Sequence, residues 1–201
     1  MPRPRKASDA EILDHTLALM EQLGSDALTF AALAERTGLS GSTLVQRFGT
    51  KQGLIDAAVV HAWDALDRRT HELLQREPNT PEGALNILTR LTEQYGDIDA
   101  YADKLRVLRE DLRNPEFRAR GNAWVSVVAA ALEERFDGVP KGFGLQLFAQ
   151  WQGALILWAF APSKPVDRYV RAHLSRFLET FMSQTNKRKR SAWRPRGPRD
   201  A

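Results

Sequence analysis

Apolar residues recur with a helical period along almost the whole chain. Capping residues, glycines and prolines divide this pattern into nine segments. The predicted helices span about residues 8–23, 30–37, 40–48, 50–76, 81–95, 98–113, 115–136, 142–160 and 165–183. The pattern therefore predicts an all-α protein.

Two of these helices meet across a very short turn. Thr29 caps the first of them, Gly38 supplies the left-handed conformation that ends it, and Ser40 caps the second. Leu44 and Phe48 lie four residues apart on one buried face of the second helix. This spacing predicts a helix-turn-helix, a motif whose second helix lies in the DNA major groove.

The outward face of that second helix carries small or polar side chains that can enter a groove. The next helix starts at Thr50 and Lys51, where first-turn amides and the ammonium group suit a phosphate. Thr43, Gln46 and Arg47 are the side chains most expected to contact DNA from within the motif. The candidate DNA-binding residues are Thr29, Ser40, Gly41, Ser42, Thr43, Val45, Gln46, Arg47 and Lys51.

Residues 28–59, LTFAALAERTGLSGSTLVQRFGTKQGLIDAAV, resemble the N-terminal motif of the TetR (tetracycline-repressor) family of bacterial regulators. The resemblance implies a homodimer with a three-helix DNA-binding head and a six-helix body that dimerises through its last two helices. The family usually has Tyr and His in the recognition helix where this chain has Val45 and Arg47. A tyrosine contact to phosphate is therefore lost, while Arg47 could replace the histidine contact with a permanently charged one.

Composition and charge narrow the classes of function. The chain has 201 residues, a net charge of +4 and no cysteine, which excludes disulfides and Cys-ligated zinc. No signal peptide or membrane span is predicted, so the cytoplasm is the expected location. Basic residues are concentrated at the two ends. The expected domains are a helix-turn-helix domain with a basic N-terminal arm (1–49), a ligand-binding and dimerisation domain (50–184) and a disordered basic tail (185–201).

Motifs for catalysis are missing from the sequence. There is no nucleophile elbow, phosphate-binding glycine loop or dinucleotide fingerprint, and the four histidines lack metal-ligand spacing. We therefore expect neither an enzyme nor a bound cofactor or metal.

A sensor pocket between the helices of the body is expected instead. Its candidates are large apolar or amphipathic side chains of the middle helices, namely Trp63, Leu66, Tyr95, Leu105, Leu108, Trp124, Val128, Phe148 and Trp151. Their aromatic content favours an apolar or aromatic effector, and Arg106, Arg109 or Asp111 could add a polar contact. Side chains like the nine apolar candidates are more often part of a core than ligand contacts, and the three polar residues could equally form exposed helix pairs.

The last two helices carry apolar residues around much of their circumference, so each must bury two faces. One face can pack on the body and the other on a second subunit, although both could be covered within one subunit. The candidate interface residues are Leu147, Trp151, Leu155, Trp158, Val170, Leu174, Phe177 and Phe181.

Together these features predict a sequence-specific transcriptional regulator, more specifically a repressor that a small effector releases from a palindromic operator. Tilting of the helix that starts at Thr50 would change the separation of the two heads. The alternative is an interaction protein, a dimer that binds DNA without sequence preference and without effector control. Val45 favours that alternative, and so does the charge of the body, which is net negative once the basic ends are set aside.

Overall fold

The computed structural model describes residues 7–192, with side chains described as far as residue 183. Within this range the chain forms nine α-helices and no strands. They are α1 (Asp9–Leu23), α2 (Phe30–Thr37), α3 (Gly41–Phe48), α4 (Lys51–Arg76), α5 (Pro81–Thr92), α6 (Ile98–Arg113), α7 (Pro115–Glu133), α8 (Phe143–Phe160) and α9 (Val166–Ala192). Short 3-10 turns at Ser25–Ala27 and Glu93–Tyr95 precede α2 and α6. The predicted all-α class is confirmed.

Side-chain caps begin the first four helices at the predicted positions. Ser8 forms a capping box at α1, and the hydroxyls of Thr29, Ser40 and Thr50 each accept a backbone N–H of α2, α3 and α4. Gly38 ends α2 in the left-handed conformation with a φ of 68°. Local sequence chemistry therefore accounts for the helix-turn-helix before any tertiary contact is considered.

The end of the chain differs from the expectation. Helix α9 continues to Ala192 instead of stopping at residue 183, so residues 185–192 of the tail expected to be disordered are helical. Lys and Arg are good helix formers and favour a helix C-terminus, and the first proline after α9 begins is Pro195. Residues 1–6 of the predicted arm and 193–201 of the predicted tail lie outside the described residues.

Buried apolar side chains form two separate clusters, one in the head and one in the body. The head cluster includes Leu33 and Leu44 of the helix-turn-helix, but it also takes in the first turns of α4 through Val59 and reaches Phe117 of α7. The far end of α4 joins the body cluster through Leu73. The predicted boundary between residues 49 and 50 therefore falls inside the head cluster, and α4 is shared by both cores.

Six of the eight residues assigned to the dimer interface on α8 and α9 are unavailable to a second subunit because they are buried. Leu147, Trp151, Leu155, Trp158, Val170 and Leu174 are buried inside the subunit, and Phe177 and Phe181 pack against the same core. Helix α8 does have two apolar faces, but its largest side chains face inward against α7 and α9. The apolar side chains that α8 leaves exposed are Leu145, Ile156, Leu157 and Phe160, the last of them 85% exposed.

Among the described residues, no helix combines the length and the apolar character that crossing a bilayer requires.

Close approach of α4 to the end of α3 depends on Gly53. A Cβ at this position would lie 2.6 Å from the Phe48 carbonyl oxygen, whereas one at Gly41 would meet no atom within 4 Å. We expect Gly53→Ala to lower the free energy of unfolding by about 1–3 kcal/mol because backbone must move. Gly41→Ala, the matched control, should change it by less than about 1 kcal/mol. Urea unfolding measures both, and equal effects would contradict this assignment.

Candidate nucleic-acid interface and body cavity

The recognition helix α3 has one buried side and one solvent-facing side. Leu44 is fully buried in the head cluster. Ser42, Val45 and Gln46 are exposed, and Val45 is 46% exposed. Of these three, Ser42 and Gln46 carry hydrogen-bonding groups that can reach base edges in a major groove.

Hydroxyl groups cluster at the N-terminus of α3. Ser40 Oγ lies 2.9 Å from Ser42 Oγ and 2.8 Å from Thr43 Oγ1, and it accepts the Thr43 N–H at 3.1 Å. Thr43 is half-buried, so it is less available to a ligand than Gln46. Thr29 is exposed at the start of α2, where it accepts the Ala32 N–H at 3.1 Å.

Arg47 already has partners within the head. Its Nη1 donates to the Ala7 carbonyl at 2.8 Å and lies 3.1 Å from Asp9 Oδ1, in a segment 38 residues earlier in the chain. This pair fixes the start of α1 beside the recognition helix. The sequence predicts that Arg47 contacts DNA. The same guanidinium would then have to serve both the DNA and its partners in the head.

Lys51 is also engaged. Its Nζ donates to the Asp26 carbonyl at 2.7 Å, which links the start of α4 to the 3-10 turn after α1. An ammonium group has three N–H donors, so two remain for a phosphate. The geometry is therefore compatible with the predicted phosphate contact.

Buried and exposed polar contacts join α6 to the same turn. Ser25 Oγ donates to Glu110 Oε1 at 2.7 Å, and both residues are buried. Arg109 pairs with Asp26 at 2.9 Å, and its guanidinium lowers the pKa of that carboxyl. Because a buried carboxylate without its hydrogen bond is costly, Ser25 and Glu110 hold α6 and the turn together.

Two further contacts extend this connection to the last turn of α1. Lys104 Nζ lies 3.0 Å from Glu21 Oε1, and Arg106 donates to the carbonyls of Glu21 and Gln22 at 2.6 and 2.8 Å. We call these contacts, together with Ser25–Glu110 and Arg109–Asp26, the α6 clamp. The clamp explains why Arg106 and Arg109, considered as effector contacts from the sequence, do not line the cavity: both face the head.

A cavity of about 440 Å³ lies beside the clamp, between α1, α4, α6, α7, α8 and the Glu93–Tyr95 turn. Six of the nine candidates from the sequence line it, namely Trp63, Leu66, Tyr95, Leu105, Leu108 and Trp124.

The other three candidates, Val128, Phe148 and Trp151, are buried in the body core and do not line the cavity. Ring centroids of Phe148 and Trp151 lie 5.7 and 6.5 Å from that of Trp124, so these two rings form a layer behind the cavity wall. The sequence identifies them as large and apolar, but it does not distinguish residues that line the cavity from residues of the core behind the lining.

Tyr101 also lines the cavity, and the sequence reasoning missed it. It precedes Leu105 and Leu108 at helical spacing on α6, which is the signal that could have identified it. Burial raises the pKa of Tyr101 and, with the neighbouring Tyr101 ring, raises the pKa of Tyr95 to about 12. Both phenols are therefore neutral at ordinary pH.

Asp111 is the polar candidate that does line the cavity. It accepts a hydrogen bond from Trp63 Nε1 at 2.8 Å. Burial raises the pKa of the Asp111 carboxyl, the Trp63 bond opposes this, and the neighbouring Glu110 adds to it. Within residues 7–192, no group of three or more histidine, aspartate or glutamate side chains is placed to hold a metal ion.

Comparison with known proteins shows what the head is similar to. Residues 12–58 match the profile of the bacterial regulatory proteins, tetR family. The HTH-type transcriptional regulator BetI of Paraburkholderia xenovorans (strain LB400) is 33% identical over 69 residues, which is 32% of this chain and 35% of that protein. The chain thus matches only about a third of the length of such curated relatives.

Solved structures match over most of the chain. A candidate transcriptional regulator from Saccharomonospora viridis, in complex with choline, has a TM-score of 0.67 and 21% identity, over 85% of this chain and 95% of that one. The multidrug binding protein EbrR, complexed with imidazole, has a TM-score of 0.56 and 21% identity, over 88% and 96%. At this identity the likeness shows the fold.

Removal of the Ser25 hydroxyl tests the α6 clamp. Ser25→Ala leaves the Glu110 carboxylate buried without its hydrogen-bond donor, so we expect the free energy of unfolding to fall by about 1–3 kcal/mol. Ser126→Ala is the control because its hydroxyl is exposed and bonds only to a carbonyl of its own helix. Urea unfolding should show little change for the control. A Ser25→Ala protein as stable as the control would show that the clamp contributes nothing.

Proposed function

We propose that this chain, which belongs to the TetR family of bacterial regulatory proteins, is a DNA-binding transcriptional repressor that a small molecule in the body cavity releases from its operator. The family is not one of enzymes. The observation that carries the proposal is the connection between two parts of the molecule: the head, whose recognition helix has an exposed polar face, and a cavity whose helix α6 is joined to the head through the α6 clamp.

Structures of similar fold support a small-molecule effector. Proteins of the same fold hold choline in one case and imidazole in another. The cavity of about 440 Å³ has a size typical of small-molecule sites, and its lining is mainly apolar and aromatic.

Two routes can carry an effector's influence to the head. Helix α6 lines the cavity through Leu105 and Leu108 and holds the last turn of α1 through the clamp. Helix α4 lines the cavity through Trp63 and begins at Lys51 beside the recognition helix. An effector that fits better with one position of these helices would favour that position and reorient the head.

A homodimer would bring two heads to one operator. We assign the dimer contact to the exposed apolar face of α8, because an exposed apolar patch of this kind is typical of an interface. A two-fold axis would then pair α8 with α8 of the partner and place the heads on half-sites about one helical turn or slightly more apart. The operator is accordingly expected to be roughly palindromic.

The alternative of DNA binding without sequence preference rests on Val45. Its exposed side chain supplies no hydrogen bond at the centre of α3. The two functions differ in salt dependence. A specific complex keeps a large advantage over random DNA at physiological salt, whereas phosphate-driven binding falls steeply for all sequences.

Selection from a random duplex library would identify the operator and supply the test of recognition. Gln46→Ala should lose about 1–3 kcal/mol of discrimination at one base position, because a glutamine can bind an adenine edge with two hydrogen bonds. Lys51→Ala should weaken binding to all sequences alike and lower the salt slope by about one.

Gln75→Ala, on the exposed far end of α4, is the control and should bind as the wild type does. Fluorescence anisotropy with selected and scrambled duplexes measures all three variants. Failure of the library to yield any preferred sequence, or an equal loss on both duplexes for Gln46→Ala, would refute specific recognition by α3.

The dimer assignment predicts the effect of a charge on α8. Leu157→Arg should convert the dimer to a monomer, since an unpaired guanidinium would be buried at the interface. Leu112→Arg places the same charge on an exposed leucine at the end of α6 and should leave the dimer intact. Sedimentation velocity distinguishes the two, and a dimeric Leu157→Arg protein would rule out this face.

A further inference from the structure

The charges around the cavity do not cancel. Three lining residues can carry a charge, namely Glu21, Lys104 and Asp111. Glu21 and Lys104 neutralise each other at 3.0 Å. Asp111 forms no salt bridge with any Lys, Arg or His of the described residues, and its hydrogen bond comes from the neutral Trp63 indole. The cavity therefore contains one carboxylate without a positive partner.

Burial makes this lone carboxylate unfavourable in the free protein. The pKa of Asp111 is raised chiefly by desolvation, and the adjacent Glu110 raises it further. Glu110 itself accepts a hydrogen bond from the neutral Ser25 hydroxyl on the head side. A half-buried carboxylate in a cavity, without a positively charged partner, is typical of a binding site.

Aromatic rings surround the same space. Trp63 of α4 and Trp124 of α7 meet edge to face with centroids 6.2 Å apart, and Tyr95 and Tyr101 do the same at 5.3 Å. All four line the cavity. Faces of such rings carry negative potential, and several rings together attract alkylammonium groups.

One cationic side chain of the protein, that of Arg120, already lies near the face of one of these rings. The Arg120 guanidinium lies 5.9 Å from the Trp63 ring centroid, where Asp64 and Asp67 each pair with it at 2.6 Å. Arg120 is therefore fully compensated outside the cavity and does not neutralise Asp111. Trp124, Tyr95 and Tyr101 remain for a ligand.

We propose that the cavity binds an organic cation that carries an alkyl or aryl group, with the Asp111 carboxylate opposite its positive charge and the rings of Trp124, Tyr95 and Tyr101 around it. This class of ligand is more specific than the apolar or aromatic effector expected from the sequence. The role of the cation as an effector rests on the proposed function, but its binding does not.

A matched pair of ligands tests the charge requirement in the wild-type protein. Phenyltrimethylammonium and tert-butylbenzene have the same shape, but the first has a cationic nitrogen where the second has a neutral carbon. Quenching of tryptophan fluorescence reports binding because Trp63 and Trp124 line the cavity. The cation should bind roughly tenfold or more tightly than the hydrocarbon.

Asp111→Asn identifies the group responsible. Its amide oxygen can still accept the Trp63 N–H, so the cavity wall is preserved while the charge is removed. This variant should lose most of the roughly tenfold preference for the cation, since only the attraction of the rings remains, and keep its affinity for tert-butylbenzene. Asp99→Asn removes a charge from the exposed first turn of α6 and should behave as the wild type.

Thermal unfolding without ligand gives an independent readout. The raised pKa of Asp111 means that its ionised form disfavours the folded state, so stability associated with this group is lost as pH rises through the folded pKa. Asp111→Asn should therefore unfold at the same temperature as the wild type at neutral pH, or at a higher one. Wild-type Tm should rise with phenyltrimethylammonium, and that of Asp111→Asn should rise less at the same ligand concentration.

Three outcomes would overturn the proposal: equal affinities of the two ligands for the wild type, an unchanged cation preference in Asp111→Asn, or no binding of either ligand. Operator release is measured separately with the selected duplex. If Asp111-dependent binding of the cation left operator affinity unchanged, the cation site would stand and the repressor function proposed for it would fail.

Discussion

The hydrogen bond between Ser25 and Glu110 is the buried polar contact by which α6 of the body holds the head. It is buried, it joins residues 85 positions apart, and it holds α6 against the turn that leads into the helix-turn-helix. The other face of α6 forms a wall of the cavity. A displacement of α6 by a ligand therefore either moves the turn with it or breaks a buried polar contact, and this makes the helix suitable as a two-state element.

Local chemistry explains why much of the fold could be predicted. A capping residue or a terminal glycine acts on backbone groups only a few residues away in the sequence. Thr29, Gly38 and Ser40 therefore define the helix-turn-helix from the sequence alone. Long-range pairing is not encoded in this way. The partners of Arg47 and Lys51 lie 38 and 25 residues away, and nothing in the sequence indicates that these two cations have partners before DNA arrives.

The cavity and α8 illustrate the same limit. Six aromatic or aliphatic lining residues were predicted because large side chains on middle helices must meet somewhere inside the bundle. Periodicity finds an apolar face but does not say which of two such faces turns inward, so the dimer face of α8 was assigned to the buried side, with Trp151 and Leu155 in it. Asp111 was named as a polar contact, but only the structure separates it from Arg106 and Arg109, which face the head.

Reciprocal linkage offers the most direct test of coupling between the cavity and the recognition helix. If a ligand lowers operator affinity, the operator must lower the affinity for that ligand by the same factor. The decisive measurement is the dissociation constant of phenyltrimethylammonium for the wild-type protein, determined with and without saturating operator duplex. We predict a dissociation constant at least several-fold higher when the operator is bound, on the order of the 5-fold to 150-fold typical of such coupling. Equal dissociation constants would contradict the account, because the two sites would then be independent.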